Sequence, residues 1–240
     1  MSCSFPKTFS KVVVSQQRPG KWDERRGLTL LEIMITVAVL GLALMMALGF
    51  FTESVKATFV SEQKNLINQD IRKLTSELSR TGRQANYVVL YNSFRTQDRN
   101  NSSDRKLNGN SGDFLVFIFQ DVPDIGNPIY APRAIRRIVG YYRSPDDLSD
   151  PESMGPVRKF DINIPAPSNP SNPPQLESLL PAESAMNSHD VVLALSQGLA
   201  DNRLFYNLGN GTIMVNGKIV HGVEAKRVTD TYNFTLSTRR

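Results

Sequence analysis

One carboxylate, Glu32, interrupts the otherwise apolar run Leu28–Phe51. A helix of about 24 residues rising 1.5 Å per residue is long enough to cross roughly 30 Å of hydrocarbon, so the run reads as a membrane span and is too long for the core of a signal peptide. An ionisable side chain in such a helix costs up to a few kcal/mol at the bilayer centre and less near an end. It is retained where a partner meets it, and Glu32 lies about one turn in from the apolar start. A plainer alternative is an interfacial carboxylate that snorkels toward the headgroups.

Other groups able to do chemistry are sparse. His189 and His221 are the only histidines, and the single cysteine, Cys3, lies before the span. His189-Asp190 adjoins a strand start, and adjacency in sequence does not bring two side chains together as a triad requires. The chain has neither GxxxxGK[ST] nor GxGxxG, so ATP hydrolysis is not expected of it. Asp146, Asp147, Asp150 and Glu152 could offer oxygens to calcium, but their spacing is not that of an EF-hand and a solvated turn is the stronger reading. Arg133, Arg136, Arg137 and Arg143 are expected to form a basic strand edge that discourages aggregation or contacts another subunit. No catalytic residue, metal or cofactor is expected.

The net charge of +5 suggests nucleic acid until it is divided. Residues 1–27 carry six basic and two acidic side chains, which leaves 22 basic and 21 acidic side chains after Gly27. The high isoelectric point therefore reports orientation, with a basic flank held in the cytoplasm and the remainder outside it, and no nucleic-acid partner is expected. The sequons at Asn101, Asn210 and Asn233 arise readily by chance in an Asn-rich chain.

The elements that must position Glu32 follow from periodicity. After the span, Val55, Phe59, Leu66, Ile67, Ile71, Leu74 and Leu78 recur mostly at steps of three and four, which predicts an amphipathic continuation of the helix over residues 52–83 with a mixed-sign solvated face and a stop at Gly82. Gly41 and Gly49 are candidate flexible points, or else ordinary small residues of a membrane helix. From Tyr87 the pattern becomes β-like: Tyr87–Tyr91, Phe114–Phe119, Ile135–Arg143, Arg158–Ile164, Val191–Leu195, Leu204–Leu208, Thr212–Val220 and Tyr232–Ser237. These predict an antiparallel sheet whose apolar face is covered by the helix stripe. Asn216-Gly217 predicts a two-residue hairpin, and Asn108-Gly109 and Gly209-Asn210-Gly211 predict further turns. Pro165–Pro181, with six prolines, reads as a surface loop or linker.

Gly27-Leu28-Thr29-Leu30-Leu31-Glu32, followed by the long apolar helix, resembles the signal of type IV prepilins and type II secretion pseudopilins. The resemblance implies cleavage after Gly27 by a prepilin peptidase, N-methylation at Leu28, and use of Glu32 in assembly by pairing with the freed amine of a neighbour. Glycine suits the cut because it presents no side chain to a narrow protease groove. It implies an α+β, pilin-like fold: leader 1–27, transmembrane or filament-core helix 28–51, amphipathic continuation 52–83, and an extracytoplasmic β-rich domain 84–240 with the Pro-rich loop 165–181. Its partners would be the peptidase, other pilins or pseudopilins and an inner-membrane assembly platform. The protein would be a non-enzymatic, single-pass subunit of the bacterial inner membrane, then of a pilus or pseudopilus. The cysteine-free mature chain leans toward a minor subunit, and the order helix, aromatic strand, Ile138–Arg143, Gly222-Val223-Glu224, Tyr232–Thr235 resembles J-class minor pseudopilins. An alternative is a minor pilin at a pilus tip that serves as an adhesin or DNA-uptake module.

Overall fold

The computed structural model describes residues 29–120, 134–147, 150, 153–165, 174–222 and 227–238. Helix α1, Leu30–Gln84, is unbroken over 55 residues, as expected of a stretch without proline. It contributes to two compact units that divide between Glu53 and Ser54.

In the first unit every helix residue from Leu30 to Glu53 is exposed. The helix passes through Gly41 and Gly49 without interruption, and a Cβ at either would meet nothing of this chain within 4 Å. Thr36 and Thr52 donate their hydroxyls to the carbonyls of Ile33 and Gly49 at 2.9 and 2.8 Å. Such bonds leave a hydroxyl nothing to ask of the surroundings, which suits a helix side open to lipid.

In the second unit α1 buries Ile67, Leu74, Leu78 and Thr81, with Ile71 half-buried beside them. Val55 and Leu66, expected on the same stripe, stand 53% and 45% exposed, because at 100° per residue they lie about a quarter turn or more from the buried line. Gly82 does not stop the helix. It is buried within the last turns, in close contact with the sheet, where a Cβ would lie 3.4 Å from Leu236 and 3.5 Å from Phe117, ordinary packing distances. Asn86 makes the exit: its N–H donates to Ile118 O and its Oδ1 accepts from Gln120 N.

Nine antiparallel strands follow among the described residues: β1 (Tyr87–Tyr91), β2 (Ser111–Gly112), β3 (Phe114–Gln120), β4 (Ile135–Arg143), β5 (Gly155–Asn163), β6 (Asp190–Gly198), β7 (Phe205–Gly209), β8 (Thr212–His221) and β9 (Val228–Ser237). Their order is β1-β3-β4-β5-β6-β8-β7-β2, with β9 paired to β8 over ten residues. One edge of β8 is shared, β7 meeting residues 212–215 and β6 meeting residues 217–219.

The sheet is apolar on both faces, where one had been expected. Along β3 the side chains alternate, Leu115 and Phe117 packing with Leu74 and Leu78 of α1, and Phe114, Val116 and Ile118 packing on the other side with Phe94, Ile138, Tyr142 and Phe160. The second face is closed in part by α2 (Leu176–Leu179), whose Leu176 is buried together with Leu180. The end of the Pro-rich segment is thus core cover and not a linker. It is also tied by Tyr91 Oη and Arg105 Nε, both donating to Glu177 Oε1, and by Arg99 Nη2 donating to Pro181 O.

Two further expectations fail for tertiary reasons. Asn216-Gly217 lies inside β8 opposite Asn233 and Tyr232, and Gly217 is required because a Cβ there would sit 2.6 Å from Tyr232 Oη. The two-residue turn falls instead at Asp201-Asn202, with φ of +50° and +61° and reciprocal 2.9 Å backbone bonds between Ala200 and Arg203. The expected basic edge is likewise internal, since β4 lies between β3 and β5. Arg143 there is buried and bidentate to Asp113, its Nε and Nη2 each 2.9 Å from a carboxylate oxygen. Arg203 Nη1 and Leu204 N also donate to Asp113, so one buried carboxylate fastens β3, β4 and the Asp201-Asn202 turn. Arg137 pairs with Asp161 on β5.

Candidate functional site

The start of α1 is the candidate site. Thr29 caps the helix: its Oγ1 accepts from Glu32 N at 3.3 Å, while its own N–H and Oγ1–H reach back to Glu32 Oε2 at 3.1 and 3.2 Å. This reciprocal box needs Thr at the cap and Glu three residues on, a signal open to reading in Thr29-Leu30-Leu31-Glu32 but missed at the sequence level. The carboxylate sits in the first helical turn, where unsatisfied N–H groups favour negative charge. Both bonds fall on Oε2; among the described residues Oε1 accepts none.

Around it the surface is apolar. Leu30, Leu31, Ile33, Met34 and Ile35 are between 49% and 77% exposed, and no other Asp, Glu, Lys or Arg occurs between Gly27 and Glu53. The helix is long and apolar enough to cross a membrane, with a mean hydropathy of 2.5 in its most apolar window, none of it buried within the chain. Gly27 and Leu28 lie outside the described residues, as do Cys3, Arg133, Glu152 and the segment Val223–Lys226.

The remaining candidates stay apart. His189, between a short 3-10 turn (Glu183–Ser188) and β6, has Nδ1 2.7 Å from Tyr142 Oη. Tyr142 spends its proton on Met186 O, so His189 is the donor of that pair. Burial, reinforced by the Arg158 charge, holds the His189 imidazolium below its ordinary pKa, and the ring is one wall of the Phe94–Tyr142–Phe160 cluster. His221 closes on Asp70 of α1, Nε2 to Oδ2 3.0 Å, far from His189 in the chain. Asp146 and Asp150 are exposed, and no group of three metal-ligating side chains occurs among the described residues. None of these assembles a nucleophile with a base.

Residues 23–48 match the model of the prokaryotic N-terminal methylation motif, the signal of the type IV pilin and pseudopilin family. The match contains Gly27, Leu28 and Glu32. No curated protein and no solved structure matches the chain. With the long apolar-started helix and the antiparallel sheet that follows it, the architecture is α+β and pilin-like. The motif points to a structural subunit rather than an enzyme.

Proposed function

We propose that this chain is a structural subunit of a type II secretion pseudopilus or a type IV pilus, made as a prepilin and incorporated as a minor component of the J-class kind. The observation that carries the reading is the methylation motif at residues 23–48, coinciding with a capped glutamate at the mouth of a helix that is otherwise apolar and wholly exposed as far as Phe51. In this account residues 1–27 remain cytoplasmic, prepilin peptidase cuts after Gly27, Leu28 becomes the methylated amino terminus, Leu28–Phe51 anchors the chain in the inner membrane, and residues 84–240 lie outside the cytoplasm.

The chemistry of assembly is charge pairing. Before the cut no cation stands at Leu28; after it an α-ammonium does, four residues ahead of Glu32. Thr29 keeps Glu32 on its own helix through Oε2, which leaves Oε1 to meet the amine of a neighbour. In a medium of low dielectric an unpaired charge costs several kcal/mol, so subunits seated in register are favoured over those shifted along the axis. Gly41 and Gly49, with open space about them, permit close approach of neighbouring helices.

The test is direct. Mass spectrometry of the chain recovered from its native membrane is expected to give an amino terminus at Leu28 bearing a methyl group. Glu32→Ala is expected to be processed normally but to be lost from sheared filaments. Recovery of an uncut chain, or normal incorporation of the alanine variant, overturns the cleavage and pairing claims respectively.

A further inference from the structure

The strands at the margins of the sheet differ in how open they are. Among the described residues β2 is only two residues long, and the outward carbonyl of Leu90 on β1 is taken by Lys106 N at 2.7 Å. β9 is different: it pairs with β8 over ten residues without a shift of register, and no described strand pairs with its other side. Thr238 N donates to Gly211 O at 3.0 Å in the same register. By the two-residue alternation of an antiparallel ladder, Tyr232, Phe234 and Leu236 therefore bond to β8, while Thr229, Thr231, Asn233, Thr235 and Ser237 turn their N–H and carbonyl groups away from it.

Such an edge is a template for another strand, and proteins close it with a proline, a lysine, a bulge, a cover or an inward-pointing charge. β9 has no proline, lysine or bulge. At its end Ser237 O lies 3.7 Å from where a Cβ on Gly82 would stand, so α1 covers that carbonyl. The backbone groups of Thr229, Asn233 and Thr235 have no partner among the described residues. Asp230 stands out. It is the only charged side chain of the strand, it lies on the inward face between Val228 and the buried Tyr232, and no described cation pairs with it. Its Oδ1 accepts the outward Thr231 N–H at 2.8 Å.

We propose that the outer edge of β9 is a self-association surface fitted to β9 of a second copy of this chain, and that Asp230 keeps it shut. The proposal stands apart from the filament reading, since it concerns the folded sheet alone. An incoming strand needs the Thr231 N–H that Asp230 occupies, and it drives a half-exposed carboxylate out of water into an interface where neither strand holds a cation. Two copies bring two such charges. Without them the edge suits itself: its exposed side chains are the small, uncharged Thr229, Thr231, Asn233, Thr235 and Ser237, Thr opposite Thr is favourable across antiparallel strands, and a second strand covers the half-buried Val228 and Phe234.

Residue-resolved amide exchange of the full chain in detergent, followed over a range of protein concentrations, tests this. In the unaltered chain Asn233 and Thr235 are expected to exchange fast at every concentration, and their ladder-bonded neighbours Tyr232 and Phe234 slowly. Asp230→Ala is expected to slow Asn233 and Thr235 at least about tenfold, by an amount that grows with concentration. Asp230→Asn keeps an acceptor for Thr231 but not the charge, and a smaller slowing of the same kind is expected; Asp230→Glu, with the charge restored, is expected to show none. Unchanged exchange at Leu115 and Phe117 reports an intact fold, and should the alanine variant not fold, the near-isosteric asparagine variant carries the comparison. Fast exchange at Asn233 and Thr235 in the folded uncharged variants at all concentrations, even where copies associate through the apolar half of α1, overturns the inference. So does slow exchange at these two residues in the unaltered chain, whether or not it depends on concentration.

Discussion

The two halves of α1 share one backbone and obey different solvents. Leu30–Phe51 is apolar on every side and exposed on every side, with a lone carboxylate held at its first turn. From Ile67 to Thr81 the same helix has one buried line, carboxylates drawn to its flanks by His221 and Lys159, and cations turned outward. A helix that is uniformly apolar makes no demand on its own domain and must be covered by lipid or by other chains; one with a 3.6-residue stripe is covered by its own sheet. Composition sets the first case and periodicity sets the second.

Several substitutions sharpen or break that contrast. The largest effect is expected at Asp113, which lies wholly within the domain: Asp113→Ala strands Arg143 and the flanking Arg203, and a broken buried pair costs about 3 to 5 kcal/mol. Chemical denaturation that left stability within about 1 kcal/mol would show that water replaces the carboxylate. Leu74→Ala is expected to cost about 2 to 4 kcal/mol by emptying a fully buried site. Leu44→Ala, in the other half, is expected to leave domain unfolding unchanged within about 0.5 kcal/mol. Equal effects of the two leucines would abolish the distinction. Thr29→Ala removes the cap, at a cost of about 1 kcal/mol to the first turn, read as faster amide exchange at Leu31 and Glu32.

The smallest effect is a dependence on pH that belongs to the second unit alone. His189 is held below its ordinary pKa of 6.5, so below that value the unfolded chain takes up a proton that the folded one refuses. Its contribution is therefore complete above about 6.5 and declines as the pH falls toward the depressed folded value. Replacement of His189 by Gln is expected to flatten that part of the melting-temperature profile; an unchanged profile would assign the slope to other groups.

Much of this was open to reading in the sequence, and the failures share a cause. Strand positions from Tyr87 to Ser237 follow from alternation and apolar runs, which are local properties. Asn216-Gly217 carries a strong local turn signal, yet Gly217 answers to Tyr232, which no local rule detects. Arg143 reads as an edge cation until Asp113, 30 residues earlier, is placed beside it. The mixed-sign helix face becomes sorted only through His221, 151 residues from Asp70. At the candidate site the glutamate was legible from its apolar surroundings, while its cap was overlooked because a single threonine in a hydrophobic run draws no attention without geometry.

The packing of Gly82 beneath Leu236 and beside Ser237 O places the end of α1 against the last strand. The helix line Ile67–Leu78 shares one core with Ile213, Val215 and Leu236, so that core is incomplete until β9 has been made. Ribosomes add about 5 to 20 residues per second, so Phe51 emerges roughly 10 to 40 s before Ser237. Throughout that interval the nascent chain displays an unclosed sheet with apolar faces uncovered, and it falls to chaperones and proteases to guard it.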